Sequence, residues 1–214
     1  MLLRPRARGL QSSPVSSPFR RTPDPRVVED PRRLPPGQVL TDKWPVLHYG
    51  NVPRYDMEKW RLRVHGLVDR EAELTIDQVR ALPSRTVHCD IHCVTTWSRL
   101  DNEFVGVPFA EITRLVEPHP SAHFVIFHCY AGFTTSLPLE ALLDDDVLLT
   151  WLHDGEELKP EHGYPLRALV PKRYFWKSAK WLESIEFVEH DQLGFWERAG
   201  YHNEADPWKE ERYW

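Results

Sequence analysis

The chain is poor in cysteine, with three thiols among 214 residues. That is too few for a disulfide framework, and an odd number cannot pair completely. It lacks any apolar run near the ~18 residues that a membrane helix needs, so no membrane span is expected. It also lacks a basic excess: a formal net charge of −5 gives nucleic-acid binding no electrostatic footing. There is no glycine-rich phosphate loop of the dinucleotide or Walker type, and no internal repeat. Nor does an export signal stand out. Met1-Leu2-Leu3-Arg4 leads into no apolar core, and the twin Arg20-Arg21 runs into Thr22-Pro23-Asp24-Pro25. With unpaired thiols and no signal, the expected compartment is the cytoplasm.

What is abundant is tryptophan and proline, nine and 19 residues respectively. Such a composition suits a loop-rich fold with large aromatic anchors rather than a helix bundle. The balance of 41% hydrophobic and 28% charged residues is ordinary for a soluble globular protein, and the length suffices for one sizeable core. Residues 1–40 hold eight Pro and eight Arg with few apolar side chains. We expect a disordered or extended arm over residues 1–42 and ordered structure from about Trp44.

Beyond the arm, short strands and short helices alternate without a regular βαβ beat. Arg61-Leu62-Arg63-Val64-His65 alternates and stops at Gly66, as a strand does. Thr75-Ile76-Asp77-Gln78 has capping-box spacing and opens a short helix that Pro83 ends. Residues 85–93 alternate again, which sets Val87, Cys89, Ile91 and Cys93 on one face and His88, Asp90 and His92 on the other. Residues 108–116 read as a helix with Pro in its first turn. Residues 137–143 read as a short helix capped by Ser136. Strands are expected over 124–129, 147–152, 167–170 and 181–188, with a turn at Asp154-Gly155. The fold class is α+β with mixed sheets. The aromatic, charged tail from Gly194 to Trp214 reads as a packing flap.

Chemistry concentrates around Cys93. The run His88-Cys89-Asp90-Ile91-His92-Cys93 suggests zinc, but a structural zinc site needs a second Cys or His pair at similar spacing, and none follows. A Cys/His thiol enzyme stays open, because such partners meet in space rather than in sequence. So does a third reading, a single thiolate on a soft transition metal whose other sulfur ligands come from an organic cofactor. A phosphate-tailed cofactor would need arginine and lysine donors, and Arg167, Lys177 and Lys180 lie in one downstream stretch beside His162.

From about Trp44 onward a series of short motifs runs in order: Leu47-His48-Tyr49-Gly50, His92-Cys93-Val94-Thr95-Thr96-Trp97-Ser98, Gly106-Val107-Pro108 and Leu137-Pro138-Leu139-Glu140. They continue with His162-Gly163-Tyr164-Pro165-Leu166-Arg167, Val170-Pro171, Ser178-Ala179-Lys180 and Pro207-Trp208. With these the chain resembles the sulfite-oxidase-type molybdopterin-binding domain, which also occurs in the catalytic subunit of the periplasmic methionine-sulfoxide reductase. It is most similar to the short, stand-alone sulfite oxidase-like oxidoreductases. The resemblance implies the sulfite-oxidase-type fold over residues 43–214, and a molybdenum-molybdopterin cofactor with Cys93 as the metal ligand. It implies pterin or phosphate contacts from His48, Tyr49, His162, Arg167, Ser178 and Lys180, and places Cys129 at a position that contacts the cofactor in the sulfoxide reductase.

The chain departs from sulfite oxidases directly after Cys93, where Val94-Thr95-Thr96 stands in place of an arginine-rich, oxyanion-binding run. Arg99 is the nearest arginine. The expected activity is therefore oxygen-atom transfer, with reduction of an S-oxide or N-oxide ahead of sulfite oxidation. No haem or iron–sulfur ligand set is visible, so electrons are expected from an external donor or acceptor protein acting beside a small-molecule substrate. A molybdopterin carrier without turnover is the alternative from another class.

Overall fold

The computed structural model describes residues 30–214. Eleven strands and four short helices run through them: β1 (Val39–Leu40), β2 (Leu62–Gly66), β3 (Ala72–Leu74), α1 (Ile76–Arg80), β4 (Arg85–His92), β5 (Trp97–Pro108), α2 (Phe109–Val116), β6 (Phe124–Cys129), β7 (Phe133–Pro138), α3 (Leu139–Leu142), β8 (Leu148–His153), β9 (Glu156–Glu157), β10 (Arg167–Leu169), β11 (Leu182–Val188) and α4 (Phe195–Arg198). They form two mixed sheets. In the five-stranded sheet the order is β3-β2-β11-β6-β7, with only β2 and β11 parallel. In the six-stranded sheet the long β5 is the spine. Its first residues pair in parallel with β1, its length pairs with β4, and its second half pairs with β8, which β9 and β10 flank.

Local chemistry accounts for the elements. Thr75 Oγ1 accepts from the Gln78 amide while the Gln78 side chain accepts from the Thr75 amide, so the expected capping box opens α1. Helix α2 lays Phe109, Ile112 and Val116 on its buried side, a spacing of three and four residues. Those side chains meet Val125 and Phe127 of β6 and Ile185 and Phe187 of β11 in the main core, where each fully buried ring or branched chain is worth ~1.5–3 kcal/mol. The turn at Asp154-Gly155 has φ of 49° and 79°, the left-handed pair that a two-residue hairpin between β8 and β9 requires.

Three expectations change. Ser136 does not cap a helix: it lies inside β7 and its hydroxyl donates to Asp191 (2.6 Å), while Pro138 precedes α3. The strict alternation of residues 85–93 breaks at a bulge between Cys89 and Ile91, after which Ile91, His92 and Cys93 are all buried. The third concerns the arm. Its residues 1–29 lie outside the described residues, but 30–42 lie on the domain: Arg33 clamps Asp90 (2.6 Å) and β1 pairs with β5.

Candidate active site

Hairpin β4–β5 delivers Cys93 to its tip. The Cys93 amide donates to Trp97 O (2.9 Å) and the Thr96 amide to Cys93 O (3.0 Å), which closes a tight turn over residues 93–96. Thr96 sits at φ 73°, left-handed and unfavourable for a β-branched residue. Cys93 is buried in a small cluster with Val94, Tyr174 and Ala205, against which Trp97, Trp176 and Tyr201 pack. Burial pushes its thiol up, and the Thr95 hydroxyl, 3.2 Å from Sγ, works in the opposite direction.

Cys93 opens onto a cavity of ≈ 320 Å³. Of the expected site residues, Cys93, His48, Tyr49, His162, Arg167, Ser178 and Lys180 all reach its wall. Cys129 does not. The period of β6 puts its side chain with those of Val125 and Phe127 in the main core, where burial raises the thiol far above its usual range. Lys177 also turns away. Its ammonium is fully buried against Glu197 (2.6 Å) and donates to Ser136 O (2.8 Å). Arg99 is committed to Asp154 (2.6 Å), with Asn102 and His153 beside it, and does not line the cavity.

The cationic end of the cavity is built on Arg167, which is 2% exposed. Its guanidinium donates to His162 O (2.9 Å) and Ser178 O (2.6 Å), and lies over the rings of Phe175 (4.3 Å) and Trp44 (5.4 Å). Burial lowers its pKa to about 9. Lys180 donates to Leu47 O (2.8 Å) and Glu161 O (2.9 Å); burial, then Arg167, brings its pKa down to about 7. His162 stacks on Trp44 at 4.0 Å, and burial followed by Arg167 depresses its ring to about 4. Gly163 lets these residues converge: its φ is 112°, and a Cβ there would stand 3.0 Å from Arg167 Cβ and 3.2 Å from Lys180 Cβ. Ser178 Oγ accepts from the Val170 amide (2.9 Å), which fixes the loop.

Among the described residues neither Arg167 nor Lys180 has a carboxylate in ion-pair range. A buried guanidinium beside a half-buried ammonium, neither in an ion pair, is costly unless an anion joins them. A phosphate-bearing cofactor fits this donor set. Among the described residues no three His, Cys, Asp or Glu side chains converge as a metal cage, which leaves Cys93 as the only thiol on the cavity wall.

Much of the remaining wall is aromatic. Trp176 stacks on Tyr201 (5.0 Å), Trp196 meets Tyr201 edge-on (5.1 Å), and Tyr49 leans on Phe195 (5.0 Å). Tyr49 is among the expected site residues, whereas Trp176, Trp196, Phe195 and Tyr201 are cavity-lining rings that motif reading passes over. The high tryptophan count was the available signal, but it does not say which rings converge.

A two-sheet α+β frame thus places a single cysteine on the wall of a cavity that also carries Arg167 and Lys180, and the chain's relatives identify the class as a molybdopterin-binding oxidoreductase. Residues 49–196 match the oxidoreductase molybdopterin binding domain, and the chain belongs to that family. Its cofactor is molybdenum-molybdopterin. The chain is 50% identical over 182 residues to the uncharacterized oxidoreductase YuiH of Bacillus subtilis (strain 168), covering 85% of this chain and 92% of that protein. It is 30% identical over 178 residues to a putative protein-methionine-sulfoxide reductase subunit, YedZ1, of Azospira oryzae, covering 80% of this chain and 68% of that one. The sulfane dehydrogenase SoxCD of Paracoccus pantotrophus has the same fold, with a TM-score of 0.63 at 22% identity over 72% of this chain and 43% of that one.

Proposed function

We propose that this enzyme reduces neutral S-oxides or N-oxides by oxygen-atom transfer, with Cys93 as the one protein ligand to the molybdenum. The observation that carries the reading is the division of the cavity. Its cations gather at the end formed by Arg167, Lys180 and His162, while the wall against Cys93 is made of Trp97, Trp176 and Tyr201. Among the described residues an oxyanion such as sulfite would find no cavity-lining arginine beside the thiol, since Arg99 pairs with Asp154 and Arg212 is bonded to Val94 O and Pro36 O. An apolar sulfoxide would meet rings that match its body.

The cofactor, when bound, supplies the two-electron oxygen-atom chemistry. Overall, an S-oxide takes up two electrons and two protons and leaves as a thioether and water. The chain's residues bind and orient. In this reading Arg167 and Lys180 hold the cofactor's phosphate, and His162, His48 and Tyr49 pack along the pterin. Ser178 shapes the loop that carries Lys180. Thr95 keeps its hydroxyl on Sγ, and the aromatic wall excludes water. Electrons come from a separate redox protein. Residues 43–214 act as the cofactor domain, with 1–42 as its N-terminal arm.

The three unpaired thiols support a cytoplasmic setting. Among the described residues no helix is long and apolar enough to cross a membrane. A metal-free thiol enzyme draws no support from the site, because the hydrogen-bond partner of the Cys93 thiol is Thr95 rather than a histidine.

The test is metal analysis and dye-linked turnover of protein made in a molybdopterin-competent host. Wild type should carry about one molybdenum per chain and reduce aryl and alkyl sulfoxides in preference to oxidising sulfite, and Cys93→Ser should abolish turnover. Metal-free wild type would overturn the ligand assignment. Loaded protein that turns over none of a panel of S- and N-oxides would favour the carrier.

A further inference from the structure

Two stretches outside the family-matched residues 49–196 close on the turn that carries Cys93. Three carbonyls of this turn accept hydrogen bonds from them. Gln38 Nε2 donates to Cys93 O (3.0 Å), the Val39 amide to Thr96 O (2.8 Å), and Arg212 Nη1 to Val94 O (2.7 Å). Arg212 also donates to Pro36 O (3.3 Å) and lies over the Tyr174 ring (4.9 Å), so the N-terminal arm and the C-terminal tail grip the turn together. Gln38 is 8% exposed and the Arg212 side chain 14%; neither lines the cavity. Thr96 needs such support, because a left-handed β-branched residue persists only where its surroundings over-determine it.

We infer that Gln38 and Arg212 are positioning residues: they lock the turn over residues 93–96 and thereby fix the direction of Cys93 Sγ. The segment 36–41 is then part of the active site rather than a tail. A thiolate that wanders by an ångström presents its metal differently to substrate, which lowers kcat while leaving binding intact. The catalytic consequence rests on Cys93 being the metal ligand; the grip on the turn does not.

The experiment uses the full chain with Gln38→Met and, separately, Arg212→Met, each removing a donor while keeping an unbranched side chain of moderate length. Hydrogen exchange is followed in the protein as purified. Amides of residues 93–97 should exchange about tenfold faster in each variant, with β6 and β11 unchanged. In the loaded enzyme kcat for a sulfoxide should fall roughly tenfold at unchanged KM and unchanged molybdenum content. Unchanged exchange in the turn would overturn the inference. So would faster exchange spread evenly through both sheets, since that reports only a weaker fold, or faster turn exchange with an unaltered kcat in loaded protein. Wild type lacking molybdenum, with turn exchange still responsive, would refute the Cys93 ligand and leave the grip standing.

Discussion

Lys180 offers a direct test of the anion site, because its charge is balanced near neutrality. Among the described residues its ammonium donates to the carbonyl oxygens of Leu47 and Glu161, and burial, reinforced by Arg167, holds its pKa at about 7. An unfolded lysine titrates near ~10.4. Between those values the unfolded chain binds the extra proton, so this group makes stability rise with pH across the window from about 7 to ~10.4, by on the order of 4 kcal/mol in all. An anion against Nζ favours the protonated form and offsets part of its cost at the acid end of that window. Sulfate is a suitable probe, since it stays a dianion throughout the range.

In protein lacking cofactor, sulfate affinity should be level below pH ~7 and fall about tenfold per pH unit above it, because each binding event must then recruit a proton. His162, depressed to about 4, contributes no slope there, and Arg167 enters only near 9. Lys180→Met should abolish the slope. On the acid side it should weaken binding by one charge-assisted hydrogen bond, ~1.5–3 kcal/mol or about 10–150-fold in Kd. Calorimetric titration from about pH 6 to about pH 9 reads both effects. A flat profile in wild type, or the same slope in Lys180→Met, would refute the assignment of this lysine to the anion site.

Two further expectations concern the scaffold around the site. Lys177→Met leaves the Glu197 carboxylate buried without its cation and should cost about 3–5 kcal/mol, a fall of roughly 6–20 °C in Tm. The double variant Lys177→Met with Glu197→Leu should recover most of it by thermal unfolding, because no buried charge then remains unpaired. Gly163→Ala forces a side chain into a left-handed position against Arg167 and Lys180. It should lose ~1–3 kcal/mol in chemical denaturation and weaken sulfate binding in the same calorimeter.

Where the sequence could be read, a local rule and the tertiary structure agreed. The capping box of α1, the alternation of β2 and the left-handed pair at Asp154-Gly155 are each fixed within a few residues. Strand β5 is twelve residues long and went unread, because Asp101, at φ 56°, and Asn102 interrupt any alternation and a register shift follows at Val105 and Gly106. The cofactor motifs located the cavity, yet spacing could not separate Lys180 from Lys177. They lie three residues apart in one loop; the family resemblance points to Lys180, and in the fold Glu197 of α4 pairs Lys177 while Lys180 lines the cavity. Cys129 shows the reverse case: motif position suggested the site, whereas strand period sent the thiol to the core. The arm is the sharpest instance. Its proline and arginine content argues for a disordered or extended arm, and composition cannot register that Gln38 reaches Cys93 O, 55 residues away, or that Arg212 arrives from the other end of the chain. Local patterns therefore mark what a site must contain. Which side chains are left free to do it depends on partners that only the closed fold supplies.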